Sequence, residues 1–115
     1  MIGEREVKEI LAQYEKHGWS LRRVLLSAEI KRNLPAMLFG QTEIVSSALD
    51  ALWFSRASFE GGETWELRHL SNPPFALIKV FEADDEEDVR EDARCEMQTR
   101  LAEQASKSSN KKVTY

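Results

Sequence analysis

The stretch Ala48-Leu49-Asp50-Ala51-Leu52-Trp53-Phe54-Ser55-Arg56-Ala57-Ser58-Phe59-Glu60-Gly61-Gly62-Glu63-Thr64-Trp65-Glu66-Leu67-Arg68-His69-Leu70 decides the fold. Two runs rich in aromatic and aliphatic residues flank Gly61-Gly62. A glycine pair tolerates positive φ at both central positions of a two-residue hairpin turn. The stretch therefore reads as a β-hairpin over 49–70, central to a sheet. With a two-residue turn, Ser58 faces Trp65, Arg56 faces Leu67 and Phe54 faces His69. A three-residue loop with a bulge slips this pairing by one and puts Trp65 and Leu67 on one face with Trp53, Ser55 and Ala57. A one-residue slip exchanges the faces of a whole strand, so both registers stay open. In either, Leu52-Trp53-Phe54 is apolar on both sides, which suits a central strand covered on both faces.

Working outward toward the N-terminus, Pro35 to Ser47 reads as a partly apolar connection. Met37, Leu38, Phe39, Ile44 and Val45 should close one end of the core. Ahead of it, 19–27 (Trp19 to Ser27) suits either a strand or a helix, because a short apolar run does not declare its period. A strand is preferred, since Gly18 has just closed a helix. Ser27 then caps a short helix from Ala28 to Leu34, which Pro35 ends. Residues 4–17 are helical: Val7, Ile10, Leu11 and Tyr14 form one apolar stripe, with Glu4 and Glu6 at the start and Lys16 and His17 at the end.

Toward the C-terminus, Ser71-Asn72-Pro73-Pro74 is a turn. Phe75 to Phe81 is a strand with both faces mostly apolar. Asp84 to about Ala105 is a helix, with Asp84 or Asp85 as N-cap and a thin stripe of Val89, Ala93, Met97 and Leu101. Residues 106–115 read as a disordered polar tail. The expected fold is α+β: a four-stranded, mostly antiparallel sheet between N- and C-terminal helices, ordered α-β-(short α)-β-β-β-α, with one domain over 1–105. The expected core contains Val7, Ile10, Leu11, Leu52, Phe54, Leu67, Leu77, Val80 and Met97.

Composition bounds the function. The chain has 115 residues, 42% hydrophobic and 31% charged, and a single cysteine, Cys95. No apolar run is long enough to span a bilayer and no apolar leader opens the chain, so the expectation is a cytoplasmic protein with no membrane partner. The formal charge is −4. Residues 1–81 carry ten acids and ten bases, whereas 82–115 carry ten acids and six bases. The excess lies in Glu82-Ala83-Asp84-Asp85-Glu86-Glu87-Asp88. Such a balance disfavours non-specific nucleic-acid binding, which runs on phosphate neutralisation, and favours a basic protein partner.

Catalytic signals are weak. The acidic run lacks the glycine and the alternation of a calcium loop, and reads as a solvated helix start. Two histidines and one cysteine provide no zinc spacing. His69 would need Asp50 or Glu66 as partner to act as a base, and spacing dictates neither. Cys95 sits among Glu91, Asp92 and Glu96, not in the electropositive setting of a reactive thiol. No phosphate loop, nucleophile motif or cofactor motif is present, so the chain reads as a non-enzyme with no cofactor.

Two binding readings follow. The first is a small non-enzymatic protein-interaction domain, in one form an immunity- or antitoxin-like binder of a basic protein, offering Asp84, Asp85, Glu86, Glu87 and Asp88. The alternative is a single-stranded nucleic-acid module that stacks bases on Trp53 or Trp65 and neutralises phosphates with Arg56 and Arg68. The bland account of the second set is tryptophans in the core and arginines in cross-strand ion pairs. It is the preferred one.

Overall fold

The computed structural model describes residues 3–71 and 75–113, and side chains as far as residue 105. The order is α1 (Glu4–Lys16), β1 (Ser20–Leu26), α2 (Ala28–Arg32), a 3₁₀ turn (Ala36–Phe39), β2 (Ile44–Ser46), β3 (Ala51–Ala57), β4 (Glu63–His69), β5 (Ala76–Phe81) and α3 (Glu87–Val113). The fold is α+β, a mixed five-stranded sheet in the order β2-β1-β3-β4-β5. The expected count of four strands is corrected by β2, which lies inside the stretch read as a connection. Ile44 and Val45 pair in parallel with Val24 and Leu25 of β1. The crossover through α2 supplies the chain length that a parallel pair requires. β3, β4 and β5 form the expected antiparallel meander.

Residues 19–27 resolve as a strand. A bulge between Leu21 and Arg23 resets the alternation: Leu21 and Val24 stand with Phe54 and Leu52, whereas Arg23 and Leu25 stand with Trp53 and Ala51. One extra residue in one strand re-aims its neighbours in this way, so a charged side chain can interrupt an apolar run without entering the core. Ser27 caps α2, its hydroxyl accepting from the Ile30 amide at 3.3 Å. Asp50, immediately before β3, holds this junction, accepting from the Ser27 amide at 2.6 Å and the Ser27 hydroxyl at 3.2 Å.

The hairpin exists, but its turn is neither of those expected. Ala57 pairs with Glu63, Ser55 with Trp65 and Trp53 with Leu67. Ser58 to Gly62 form a five-residue loop containing a 3₁₀ turn, closed by the Ser58 amide donating to the Gly62 carbonyl at 3.0 Å. The faces follow the parity of the slipped register: Trp53, Ser55, Trp65 and Leu67 share a side.

The sheet therefore has a core on each face. Above it, Val7, Val24, Leu26, Ile30, Phe39, Leu52 and Phe54 pack under α1 and α2. Below it, Leu25, Trp53, Trp65, Leu67, Phe81, Met97 and Leu101 pack against α3. Of the expected core, Val7, Leu52, Phe54, Leu67 and Met97 are buried, and Ile10, Leu11 and Leu77 are half-buried. Val80 is not: it is 53% exposed. α3 starts later than expected, at Glu87, and its backbone is helical to Val113, across most of the stretch expected to be a disordered tail. The turn expected at Ser71-Asn72-Pro73-Pro74 falls largely on 72–74, outside the described residues.

Candidate protein-docking surface

The upper face of the sheet is only partly roofed, and geometry explains why. A helix with its side chains is roughly 10–12 Å across, while strands lie about 4.8 Å apart, so one helix covers two to three strands. α1 spends its stripe on β1 and β3, and reaches β4 at one point, where the Tyr14 hydroxyl donates to Glu66. Its C-terminal end turns through Gly18 at φ 85°. Trp19 then lies beneath the Arg56 guanidinium, 4.7 Å from ring centroid to charge. β5 lies beyond this roof. Ala76, Ile78 and Val80 stand on the same face as Arg68, Glu66 and Thr64, with which they pair. Ile78 is 61% exposed, and at the hairpin tip Phe59 is 93% exposed.

Phe59 and Val80 share an open groove of about 840 Å³ with Gly18, Arg56, Glu60 and Glu82. The groove sets the apolar side chains of Phe59 and Val80 beside two acids and one arginine. That arginine is already committed: Arg56 donates to the His17 carbonyl at 3.2 Å and covers Trp19. Arg56 keeps its charge in these contacts, and two acids against one arginine leave the groove negative on balance. A large apolar surface rimmed by charge is the usual form of a macromolecular contact site.

The residues singled out from the sequence are distributed differently. Trp53 is fully buried under α3, its indole N–H donating to Gln98 at 3.0 Å. Trp65 is 9% exposed and edge-on to Trp53 at 5.9 Å. Arg94 covers its ring at 4.6 Å, and Arg22 lies 5.7 Å from it. An indole so enclosed has no face left on which to stack a base. Arg68 donates to the His69 carbonyl on the upper face. Within the acidic run, Asp85 accepts from the Glu82 amide at 2.8 Å and Glu87 pairs with Arg94. Asp84, Glu86 and Asp88 are exposed. The run thus supplies a helix entrance and one ion pair, with three acids on the surface beside the groove's Glu82.

The ion pairs beneath the sheet hold α3 in place. Arg90 donates to Glu63 at 2.8 Å and to the carbonyls of Glu82 at 2.7 Å and Asp85 at 3.1 Å. Arg94 donates to Glu91 at 2.9 Å as well as to Glu87. The hydrogen bond from Arg94 holds the Glu91 carboxyl below its ordinary range, against a smaller opposing effect of burial. Burial works against the Arg94 charge, yet the bonds from Glu91 and Glu87 outweigh it and raise its affinity for the proton.

A second cavity, of about 540 Å³, lies at the other end of α3 between Ser47, Leu49, His69, Cys95 and Gln98. His69 stands opposite Ala51, not beside Phe54, and its buried Nδ1 has no hydrogen-bond partner among the described residues. Burial lowers its pKa, Arg68 lowers it further and Asp50 opposes. Asp50, one of the two partners a histidine base would need, is engaged by Ser27 instead. The other, Glu66, stands on the opposite face with Tyr14. Among the described residues no group of three or more His, Cys, Asp or Glu is placed to hold a metal ion, and no helix is long and apolar enough to cross a membrane.

Sequence reasoning missed Phe59, Ile78 and Val80 because their chemistry is that of core residues. One signal was present: a single four-residue stripe on the N-terminal helix cannot roof a sheet of four or more strands. No protein-family model matches the chain, and no curated protein or solved structure matches it.

Proposed function

We propose that the chain is a small non-enzymatic protein-interaction domain that docks a basic partner on the strip formed by Phe59, Ile78 and Val80. The observation that carries this is the exposure of three large apolar side chains on and beside one strand, next to a groove containing Glu60 and Glu82. Apolar anchors supply most of the affinity of such a contact, and the charges around them steer and select the partner. The net charge of −4 acts in the same direction. An immunity- or antitoxin-like inhibitor of a basic protein is one form this domain takes.

A displayed random-peptide selection against the native chain tests it. Enriched peptides should combine apolar residues with lysine or arginine. They should bind the Ile78→Thr/Val80→Thr variant about tenfold or more weakly, since loss of buried anchors costs over 1 kcal/mol at a contact centre. Threonine retains the β-branch, so the strand itself is preserved. Peptides that bind native and variant chains equally, or a selection that enriches nothing, overturn the proposal.

A further inference from the structure

We infer that the occupant of this strip is an extended segment of the partner that adds to the sheet as a sixth strand alongside β5. The inference rests on the docking proposal above and specifies its geometry. β5 is an edge strand of six residues with one neighbour among the described residues, β4. The opposite edge, β2, has only three residues and makes a poorer template.

The direction of the main-chain groups follows from one hydrogen bond. The His69 amide donates to the Phe75 carbonyl at 2.8 Å. These two residues continue the β4–β5 register, in which Leu67 faces Leu77, Trp65 faces Lys79 and Glu63 faces Phe81. In an antiparallel ladder the hydrogen-bonded pairs alternate with non-bonded ones. Leu77, Lys79 and Phe81 therefore turn their N–H and C=O groups toward β4. Ala76, Ile78 and Val80 turn theirs outward, to the open edge. Ile78 and Val80 also carry the exposed apolar side chains. A strand laid along β5 would thus bond to their main chain while its own apolar side chains, at every second position, lie beside theirs.

Charge selects a foreign strand over a second copy of this chain. The strip ends at Glu60 and Glu82, so the incoming segment needs lysine or arginine there. A second copy would bring a net charge of −4 against −4. Lys79, exposed on the other face of β5, is the kind of edge charge that discourages indiscriminate pairing.

The test uses a synthetic peptide of about ten residues, alternating valine and threonine with lysines at one end, and a twin N-methylated at alternate amides. Hydrogen exchange is followed residue by residue in the full chain. In the free protein the amides of Ile78 and Val80 should exchange faster than those of Leu77 and Lys79. Peptide binding should slow the outward amides by about tenfold or more, and the twin should not bind. Val80→Pro should fold, because the Val80 amide is not used by β4, and should lose the peptide. Binding of the peptide with unchanged exchange at Ile78 and Val80, or equal binding of the twin, overturns the strand and leaves the docking proposal standing. Failure of the peptide to bind, while selected peptides still depend on Ile78 and Val80, does the same. Protection that rises with protein concentration and without peptide makes the occupant a second copy, which also overturns the inference. If no peptide, designed or selected, depends on Ile78 and Val80, the docking proposal itself falls.

Discussion

The hydroxyl of Tyr14 donates to the carboxylate of Glu66, tying the first helix to the fourth strand across the upper core. The Tyr14 ring also stacks on Phe54, with centroids 3.9 Å apart and planes within 8°. Tyr14→Phe keeps this stack and removes only the donor. Glu66, 8% exposed, is then left with a buried charge short of a partner. The expected loss is about 1–3 kcal/mol, seen as a lower urea midpoint at unchanged slope. Burial, followed by the bond and charge of Glu66, raises the Tyr14 pKa well above the ordinary phenol. A raised folded-state pKa keeps the bond's contribution intact below about pH 10 and removes it as pH climbs toward the folded value. The native chain should therefore lose stability at strongly alkaline pH by an increment that Tyr14→Phe lacks.

His69 gives a second pH effect of opposite sign. Its pKa is lowered in the folded chain, chiefly by burial. The unfolded chain then binds the proton first as pH falls. Stability is complete above about pH 6.5 and declines below it, toward the lowered folded value. The difference in urea midpoint between native chain and His69→Gln should shrink or reverse between pH 8 and pH 5, because glutamine does not titrate. A difference that stays constant over this window would place the histidine in an ordinary solvated setting.

Arg94 shields the underside of the sheet more by packing than by charge. Its side chain is 8% exposed, whereas its partners Glu87 and Glu91 are 71% and 46% exposed. Pairs with such exposed acids contribute about 0–1 kcal/mol each. The guanidinium over Trp65 contributes about 0.5–2 kcal/mol, together with the buried stem of the side chain. Arg94→Ala should uncover Trp65, which acrylamide quenching will report as increased accessibility. Added salt should reproduce little of this change. If salt alone uncovers Trp65 in the native chain, the ion pairs hold the arginine in place.

Local signals in this sequence were legible wherever one residue type forces one conformation. The stripe of Val7, Ile10, Leu11 and Tyr14 marked α1, Ser27 marked the α2 cap, and Phe75 to Phe81 marked β5. What escaped was set by long-range geometry. Ile44 and Val45 form a strand only because β1 offers a parallel edge. The hairpin register depends on a left-handed Glu60 that no propensity demands. Val80 was read as core because its alternation is apolar, yet its exposure is decided by how far α1 reaches. The acidic run was conspicuous by composition, but part of it is consumed in the turn before α3, where Asp85 accepts from the Glu82 amide, and in the pair of Glu87 with Arg94. The apolar strip that carries the functional proposal looks in sequence like the interior of any sheet.

The hairpin loop separates two uses of glycine. Glu60 has φ 58° and Gly61 φ 81°, so both sit in the left-handed region that disfavours a side chain. Gly62 has φ −78°, which any residue adopts, but a Cβ there would meet the Phe81 carbonyl oxygen at 2.5 Å. Conformation is the constraint at the first two positions, and close approach to β5 is the constraint at the third. Glu60→Gly or Glu60→Asn should therefore be neutral or stabilising by up to about 1 kcal/mol, since the strain of a left-handed side chain is relieved. Gly61→Ala should cost about 1–2 kcal/mol for the same reason. Gly62→Ala should cost at least as much by another route, pushing the loop off the end of β5. Exchange at the Glu63 and Phe81 amides tells the routes apart. Those amides should quicken selectively in Gly62→Ala, and should track only global stability in Gly61→Ala.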